Sequence, residues 1–261
     1  MTDIATLRAH LSRNRFMPVP PDELLYVGDG DYRAIGAEFL ERLARDAGLK
    51  PADRVLDIGC GVGRLALPMT QFLEEGSYDG VDPVGAGIAW CAATITPLYP
   101  NVRFHHLDLR HPLYNPDGAL DTAKTRLPFA DASFELICMI SVLTHLERPE
   151  ALHYAAEAAR LLAPGGRCFA TAFLMNPPAR AALREVGGKL DFDPAGAGPL
   201  HFAIPDAPLA AVAYDEDVLL ELFLRHGLRR RNPASYGWWS GRAGRSFQDI
   251  CIFEKAAAPC A

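Results

Sequence analysis

The sequence predicts a doubly wound α/β fold built around one mostly parallel sheet. Short apolar runs alternate with longer helical patterns along the chain, as they do in successive strand–helix–strand units. The run over 134–140 is apolar at nearly every position, which is typical of a strand that helices cover on both faces. A glycine-rich turn at 59–63 follows the first apolar run, and such turns gather where parallel strands end.

Each element of this fold has its own signal in the sequence. Apolar runs predict seven strands, at 54–58, 78–81, 102–107, 134–140, 167–173, 228–232 and 247–255. Helical patterns predict helices at 62–73, 87–96, 150–162 and 214–226. The Pro-Gly-Gly segment 164–166 is expected to end the third of these helices, and Gly227 the fourth.

Two regions depart from the alternating pattern. Residues 1–50 are helical and precede the first strand, so they are interpreted as an N-terminal helical extension. The remaining residues, 51–261, form the main domain. Within that domain, 174–213 is rich in Pro, Gly and Ala, and the sheet pattern resumes after it. This segment is therefore predicted to be an inserted lid.

Composition narrows the class of protein. The 261 residues carry a formal net charge of −6, and their one dense basic cluster is Arg229–Arg231, so a nucleic-acid partner is not expected. The six cysteines form no CxxC pair, and the charged N-terminus resembles no signal peptide. These features predict a cytoplasmic protein with no nucleic-acid or membrane partner, and they leave its oligomeric state open.

The glycine turn is the sharpest local signal. Gly59, Gly61 and Gly63 let the backbone turn sharply and expose main chain to a ligand. The dinucleotide pattern G-x-G-x-x-G has a glycine where this chain has Arg64. Asp57, at the edge of the turn, would repel a pyrophosphate but suit a cation. A positively charged ligand without phosphate is therefore favoured over a nicotinamide dinucleotide.

Two further acids stand at the ends of the next two predicted strands. Asp82 lies 19 residues after Gly63, the distance at which a carboxylate accepts hydrogen bonds from ribose hydroxyls. Asp108 follows the third strand and could accept a hydrogen bond from the exocyclic amine of an adenine. Each acid alone is also typical of a strand-end turn, but three acids in register at successive strand ends indicate a nucleoside site.

These motifs resemble those of the class I S-adenosylmethionine-dependent methyltransferases. VLDIGCGVGR, GVD, HHLDL, DASFELICMISVLTHL and ARLLAPGGR occur in family order over roughly residues 50–175. The resemblance implies a Rossmann-like, seven-stranded sheet with an antiparallel last strand, and S-adenosylmethionine as methyl donor. It implies donor contacts from the glycines to the methionine part, from Asp57 to its ammonium group, from Asp82 to the ribose and from Asp108 to the adenine. Leu109 and Ile140, which follow the third and fourth strands, are assigned to the same donor site.

The residues after the fourth strand bear on the acceptor. Family members that methylate amino groups of adenine or glutamine carry N/D-P-P-Y/F/W there, whereas this chain has 141–145, SVLTH. His145 has a suitable ordinary pKa for a general base at neutral pH. Relatives that methylate hydroxyls of small molecules or sugars use a histidine at the matching place, so His145 is the predicted base. A histidine that only bonds a loop carbonyl is the alternative.

An aromatic segment near the C-terminus is the predicted acceptor site, for a sugar or glycosylated metabolite. Tyr236, Trp238, Trp239 and Arg242 could stack on and bond such a molecule, although two tryptophans could instead pack a hairpin onto the sheet. Metal use is left open, because some sugar O-methyltransferases use Mg²⁺ and no ligand cluster is evident here. The alternatives to O-methylation are N-methylation of a small metabolite and donor binding without catalysis.

Overall fold

A central sheet runs through the protein, which a computed structural model describes over residues 3–26, 28 and 30–257. The strands are β1 Arg54–Ile58, β2 Ser77–Asp82, β3 Val102–His106, β4 Phe134–Met139, β5 Leu162–Met175, β6 Leu200–Phe202, β7 Val212–Asp215, β8 Leu228–Arg230 and β9 Asp249–Lys255. Strands β1 to β5 are parallel in the order β3-β2-β1-β4-β5. Strand β9 is antiparallel to β5 and carries β8 on its other side. The predicted Rossmann-like sheet with its antiparallel last strand is confirmed.

Helices cover both faces of this sheet. They are α1 Ile4–Arg13, α2 Tyr32–Asp46, α3 Ala66–Met69, α4 Gly85–Thr94, α5 Arg148–Leu161, α6 Pro177–Glu185 and α7 Glu216–Leu224. Alternate side chains of β1 belong to different buried clusters: Val55 to the cluster that contains Leu40 of α2, and Leu56 to the cluster that contains Ala155 of α5. The nearly continuous apolar runs in the sequence follow from this two-sided burial.

Several predicted element boundaries are wrong. The helix expected over 62–73 is reduced to the four residues of α3, with turns on either side, because the tight glycine turn and Pro68 leave little regular helix. Strand β5 begins at Leu162, so the Pro-Gly-Gly segment lies inside the strand rather than before it. The pairing of β5 with β4 shifts register between Phe134 and Leu136, and this irregularity accommodates the segment.

The insert 174–213 is more ordered than its composition predicts. It contains α6 and β6, and its last residues begin β7, which pairs in parallel with the end of β5, while β6 pairs antiparallel with β7. Over the described residues, the sheet therefore has nine strands rather than the seven predicted. The helix expected from Tyr214 begins at Glu216, because Tyr214 and Asp215 belong to β7. Strands of three or four residues carry too few positions for a periodic signal.

The N-terminal extension packs directly on the glycine turn. Helix α2 begins after Asp31, whose side chain accepts a hydrogen bond from the main-chain N–H of Ala34. The Tyr32 hydroxyl then donates to the main-chain oxygen of Val62 at 2.7 Å. A side chain at Gly36 would come within 2.2 Å of the main chain at 64, so only glycine permits this close approach. The extension thus fixes the turn.

Two expectations from composition concern membrane-spanning helices and the cysteines. No helix within 3–26 or 30–257 is long and apolar enough to cross a membrane. The five cysteines in the described ranges are free and buried, as small apolar side chains would be. The sixth, Cys260, lies outside the described residues.

Candidate active site

The strand order brings the predicted donor residues to one edge of the sheet. Strands β3, β2, β1 and β4 are parallel neighbours, so their carboxyl ends lie side by side. Across this edge, Asp108 follows β3, Asp82 ends β2, the glycine turn follows β1 and His145 follows β4. Ligands of open α/β sheets bind at this edge. The predicted base thus stands beside the predicted donor site.

The glycine turn depends on three left-handed residues. Gly59, Gly61 and Gly63 have φ of 75°, 54° and 74°, which side chains disfavour. A side chain at Gly59 would also come within 2.5 Å of Val142, and one at Gly63 within 2.9 Å of Cys91. Glycine is therefore required for the shape and packing of the turn, in addition to any room that it leaves for a ligand.

Asp57 has a buried oxygen that a cation would satisfy. Its Oδ2 accepts a hydrogen bond from the Tyr78 hydroxyl at 2.5 Å. Its Oδ1 is buried and has no hydrogen-bond partner among the described residues. Burial raises the pKa of Asp57 to about 7, although the bond from Tyr78 opposes the rise. A nearby positive charge would favour the ionised carboxylate, which fits the ammonium group predicted here.

Asp82 forms hydrogen bonds with several segments at this edge of the sheet. Its Oδ2 accepts from the N–H of Gly61 at 2.8 Å, and its Oδ1 accepts from the N–H of Val84 at 2.9 Å. The hydroxyl of Tyr26, from the N-terminal extension, donates to Oδ1 at 3.3 Å. Burial raises the pKa of Asp82, and these bonds oppose the rise. Carboxylate oxygens accept more than one bond each, so ribose hydroxyls fit beside them.

The other predicted donor residues lie along the same edge. Asp108 accepts hydrogen bonds from the Asn115 side chain at 2.9 Å and from the N–H of Ala119 at 3.1 Å. These two bonds lower the pKa of Asp108 and keep it ionised. Leu109 is buried beside it, and Ile140 is half-buried directly after β4. Their contacts with a donor stay a prediction.

His145 is held in the tautomer that a base needs. It ends a short 3-10 turn, Leu143–His145, directly beyond β4. Its Nδ1 lies 2.9 Å from the main-chain oxygen of Leu209 in the insert. A carbonyl only accepts, so Nδ1 carries the proton and Nε2 keeps a lone pair. Burial lowers the pKa of His145, with a smaller contribution from His111, so the neutral ring is favoured.

Two residues to which the sequence analysis gave no role contact His145. The Tyr114 hydroxyl lies 3.2 Å from Nε2 of His145, and Nε2 of His111 lies 2.8 Å from the main-chain oxygen of His145. Both belong to the segment between β3 and β4. Their signal in the sequence is weak: a histidine and a tyrosine soon after a strand end, where site residues gather.

A strained residue leads from β4 to His145. Ser141 has φ of 58°, a left-handed value that is uncommon outside glycine. Its N–H donates to the Thr171 hydroxyl at 2.7 Å, and its own hydroxyl donates to Gln248 at 3.1 Å. The Thr171 hydroxyl also donates to Gln248. This network holds the strained conformation and fixes the start of the path to the base.

Trp239 is packed as a core side chain, which is the alternative that the sequence analysis left open. No part of it is exposed, and its ring packs against Phe173 and Phe192 with centroids 5.3 Å away in both cases. Its indole N–H donates to Asp249 at 2.7 Å. The adjacent Trp238 is 44% exposed. Of the two tryptophans assigned to the acceptor, only Trp238 has an exposed surface.

Tyr236 and Arg242 bond mainly to other parts of the protein. The Tyr236 hydroxyl donates to Glu216 at 3.0 Å, and the Arg242 guanidinium stacks over the Tyr236 ring at 4.6 Å. Arg242 also donates to Asn176 at 3.2 Å. A cavity of about 340 Å³ opens beside them, lined by residues that include Asn176, Arg180 and Glu216. Substrate contact by Tyr236 and Arg242 stays a prediction.

The described residues contain no group of three or more His, Cys, Asp and Glu side chains that could hold a metal ion. A chelator assay tests whether the reaction uses Mg²⁺.

The sheet order, the glycine turn and the acids at the ends of β1 and β2 define the class of protein. They are the features of the class I, Rossmann-like S-adenosylmethionine-dependent methyltransferases. The unpartnered oxygen of Asp57, the carboxylate of Asp82 and the left-handed glycines of the turn fit that donor. S-adenosylmethionine is the methyl donor of this class of protein.

Comparison with known proteins gives the family. Residues 29–201 match the family described as "Methyltransferase domain", and the chain belongs to that family. The 27-O-demethylrifamycin SV methyltransferase of Amycolatopsis mediterranei is 31% identical over 56% of this chain and 50% of its own length. Ribosomal RNA small subunit methyltransferase A of Streptomyces coelicolor is 26% identical over 82% of this chain and 78% of its own. The chain spans about half the length of several such curated relatives.

A solved structure gives the same fold. The 1,6-didemethyltoxoflavin-N1-methyltransferase of Burkholderia thailandensis, solved with S-adenosylhomocysteine, superposes with a TM-score of 0.53. It is 18% identical, and the alignment covers 86% of this chain and 78% of that one. Agreement at this level of identity concerns the fold alone.

Asp82→Ala should weaken S-adenosylhomocysteine binding by about 1–3 kcal/mol, the cost of removing a charged hydrogen-bond partner. The variant loses a ribose acceptor and also the bond that holds Gly61. Isothermal titration calorimetry measures the effect. Asp79→Ala is the matched control, because Asp79 lies on the same strand but bonds Arg103 and His105. Equal affinity in the folded Asp82 variant and in wild type would contradict the assignment.

Proposed function

We propose that this protein transfers a methyl group from S-adenosylmethionine to a hydroxyl of a small acceptor, a sugar or glycosylated metabolite, with His145 as general base. The observation that carries the proposal is the state of His145. Its proton lies on Nδ1, facing Leu209, and its Nε2 keeps a lone pair at the carboxyl end of β4. A hydroxyl must lose its proton as it is methylated, and a neutral imidazole can take that proton.

The chain's own residues divide the work between donor and acceptor. When bound, the donor supplies an activated methyl group on a sulfonium. The glycine turn and Asp82 hold it, and Asp57 balances its positive charge. Because the electrophile is already activated, the protein has to align the two molecules, exclude water and accept one proton. His145, mostly buried beneath the insert, is suited to the last of these tasks.

Small acceptors are favoured over nucleic acid by the charge of the protein. The net charge is −6, and two arginines of the basic cluster are already paired: Arg230 with Glu216 at 2.6 Å, and Arg231 with Glu254 at 3.2 Å. Binding to nucleic acid draws its affinity from unpaired cations facing the phosphates. The exposed Trp238 offers instead a single aromatic plate of the kind that stacks on a sugar or planar ring.

The names of some relatives support O-methylation, and the names of others indicate different acceptors. The rifamycin relative and a ubiquinone biosynthesis O-methyltransferase from Roseobacter denitrificans are named for transfer to oxygen. Other relatives are named for ribosomal RNA. N-methylation of a small metabolite and donor binding without catalysis are the competing functions, and one experiment separates all of these.

The experiment measures transfer of labelled methyl from S-adenosylmethionine to matched acceptors. One set contains 4-nitrophenyl glycosides of glucose, galactose and rhamnose, the second contains 2-amino-2-deoxy counterparts, and the third contains 16S ribosomal RNA. We expect label on a hydroxyl of the first set. Label on the amine alone, label on RNA alone, or no transfer to any glycoside hydroxyl would overturn the proposal. Calorimetry with S-adenosylhomocysteine tests donor binding independently of the acceptor.

A further inference from the structure

The lone pair of His145 is already in contact with another hydroxyl. Because Nδ1 donates to Leu209, Nε2 can only accept, and the Tyr114 hydroxyl lies 3.2 Å from it. The hydroxyl proton of Tyr114 therefore points at the base. The two rings meet edge to face, with centroids 5.3 Å apart and planes at 88°. Nε2 of His145, which makes this contact, is also the atom that accepts the proton in the proposed function.

Tyr114 also lies close to the predicted donor site. Its ring is 6.3 Å from the ring of Tyr26, whose hydroxyl donates to Asp82, the predicted ribose ligand. Burial raises the pKa of Tyr114 most, and the charge of Asp82 raises it further. The neighbours that alter the pKa of His145 are instead Leu209 and His111. Tyr114 is thus connected through Tyr26 to the predicted ribose ligand.

The turn that carries Tyr114 is attached to His145 at two points. His111 and Asn115 close this turn with two main-chain hydrogen bonds, of 3.0 and 2.9 Å. The His111 ring accepts from the N–H of Leu113 through Nδ1, so its Nε2 donates to the main-chain oxygen of His145. The Tyr114 hydroxyl then reaches the His145 ring from the same turn. The geometry between the phenol and the imidazole is therefore fixed by the backbone.

We propose that Tyr114 is a second catalytic residue, which relays the acceptor's proton to His145. The inference rests on the proposed function. As the acceptor oxygen bonds to the methyl carbon, the carbon–sulfur bond breaks and its electron pair stays on sulfur. The acceptor's hydroxyl proton passes to the Tyr114 oxygen while the phenolic proton of Tyr114 passes to Nε2 of His145. Tyr114 ends neutral, and His145 ends as an imidazolium that returns its proton to solvent.

Tyr114→Phe is the direct test, assayed with the glycoside that is the best hydroxyl acceptor of the preceding panel. We expect kcat to fall by about 10²-fold or more, as for loss of a general base. Affinity for S-adenosylhomocysteine should not change. The double variant Tyr114→Phe/His145→Ala should be no slower than the slower single variant, because two residues of one relay act as a unit. Tyr99→Phe is the matched control, since the Tyr99 hydroxyl meets Gln71 at an exposed site.

A second measurement needs no variant. A relay moves two protons in one step, so kcat of the wild type should depend on the fraction of D₂O along a curve, and transfer of a single proton should give a straight line. A straight line, or full kcat in Tyr114→Phe, overturns the relay. If His145→Ala loses kcat while Tyr114→Phe keeps it, the relay fails and the proposed function stands. If His145→Ala keeps kcat, the general base itself fails.

Discussion

Replacing His145 with alanine should lower kcat by about 10²–10⁴-fold, the usual contribution of a positioned general base. Donor affinity should stay near that of the wild type, because the ring of His145 bonds Leu209 and Tyr114 rather than the glycine turn or Asp82. Steady-state kinetics on a glycoside acceptor measure the first quantity, and calorimetry with S-adenosylhomocysteine the second.

The pH dependence of the wild type follows from the environment of His145. Burial lowers its pKa from the ordinary 6.5, and His111 adds to this, while the bond to Leu209 opposes it. The groups that face the ring are His111 and Tyr114, and the pKa of His111 is itself lowered by burial. A base acts only when unprotonated, so kcat/KM should decline as pH falls through a value below 6.5. His145→Ala should lack this limb.

A control separates loss of chemistry from loss of folding. His153→Ala removes another partly buried histidine, whose ring bonds the main-chain oxygen of Thr125 rather than a predicted site residue. It should retain kcat. If His145→Ala instead loses thermal stability and keeps turnover per folded molecule, the histidine is structural. Sensitivity of the wild type to a chelator would assign the activation of the hydroxyl to a metal ion.

The central sheet was predictable because its strands carry a local signal. Strand β4 is covered on both faces, so its sequence is apolar almost throughout, whatever its partners. Strands β6 and β7 lack such a signal, because they have three and four residues and are defined by pairing with the end of β5. The start of β5 at Leu162 was missed for the same reason: pairing with β4 overrides the turn propensity of Pro-Gly-Gly.

In the site, too, features of the local chain were predictable and contacts between distant residues were not. The glycine turn and Asp82 were predictable from spacing, since turn and strand end follow from the local chain. The contacts of Tyr26 with Asp82 and of Tyr114 with His145 join residues 56 and 31 positions apart. No periodicity in either segment reports such a contact. The burial of Trp239 beside an exposed Trp238 likewise depends on tertiary packing, because both residues carry the same side chain.

Replacing Trp239 with alanine should lower the free energy of unfolding by about 3–5 kcal/mol, as for other large buried aromatic side chains. The change leaves a cavity among Phe173, Phe192 and the strand beneath them. It also removes one of the hydrogen bonds to Asp249, a fully buried carboxylate whose pKa burial raises to about 6. Denaturant unfolding of the variant and the wild type measures the difference.

Trp238→Ala is the matched variant for this prediction, because it deletes the same side chain one position earlier. Trp238 is 44% exposed and packs against Phe247 at 4.7 Å, so its loss should cost about 1 kcal/mol or less. If Trp238 stacks on the acceptor, its removal should raise the KM for the glycoside and leave kcat unchanged, since such a contact binds substrate and transition state alike. We thus expect Trp239→Ala to affect mainly stability and Trp238→Ala to affect mainly acceptor binding. A stable Trp239→Ala protein with a raised KM would reverse the assignment, because a side chain that reaches the acceptor cannot be fully buried.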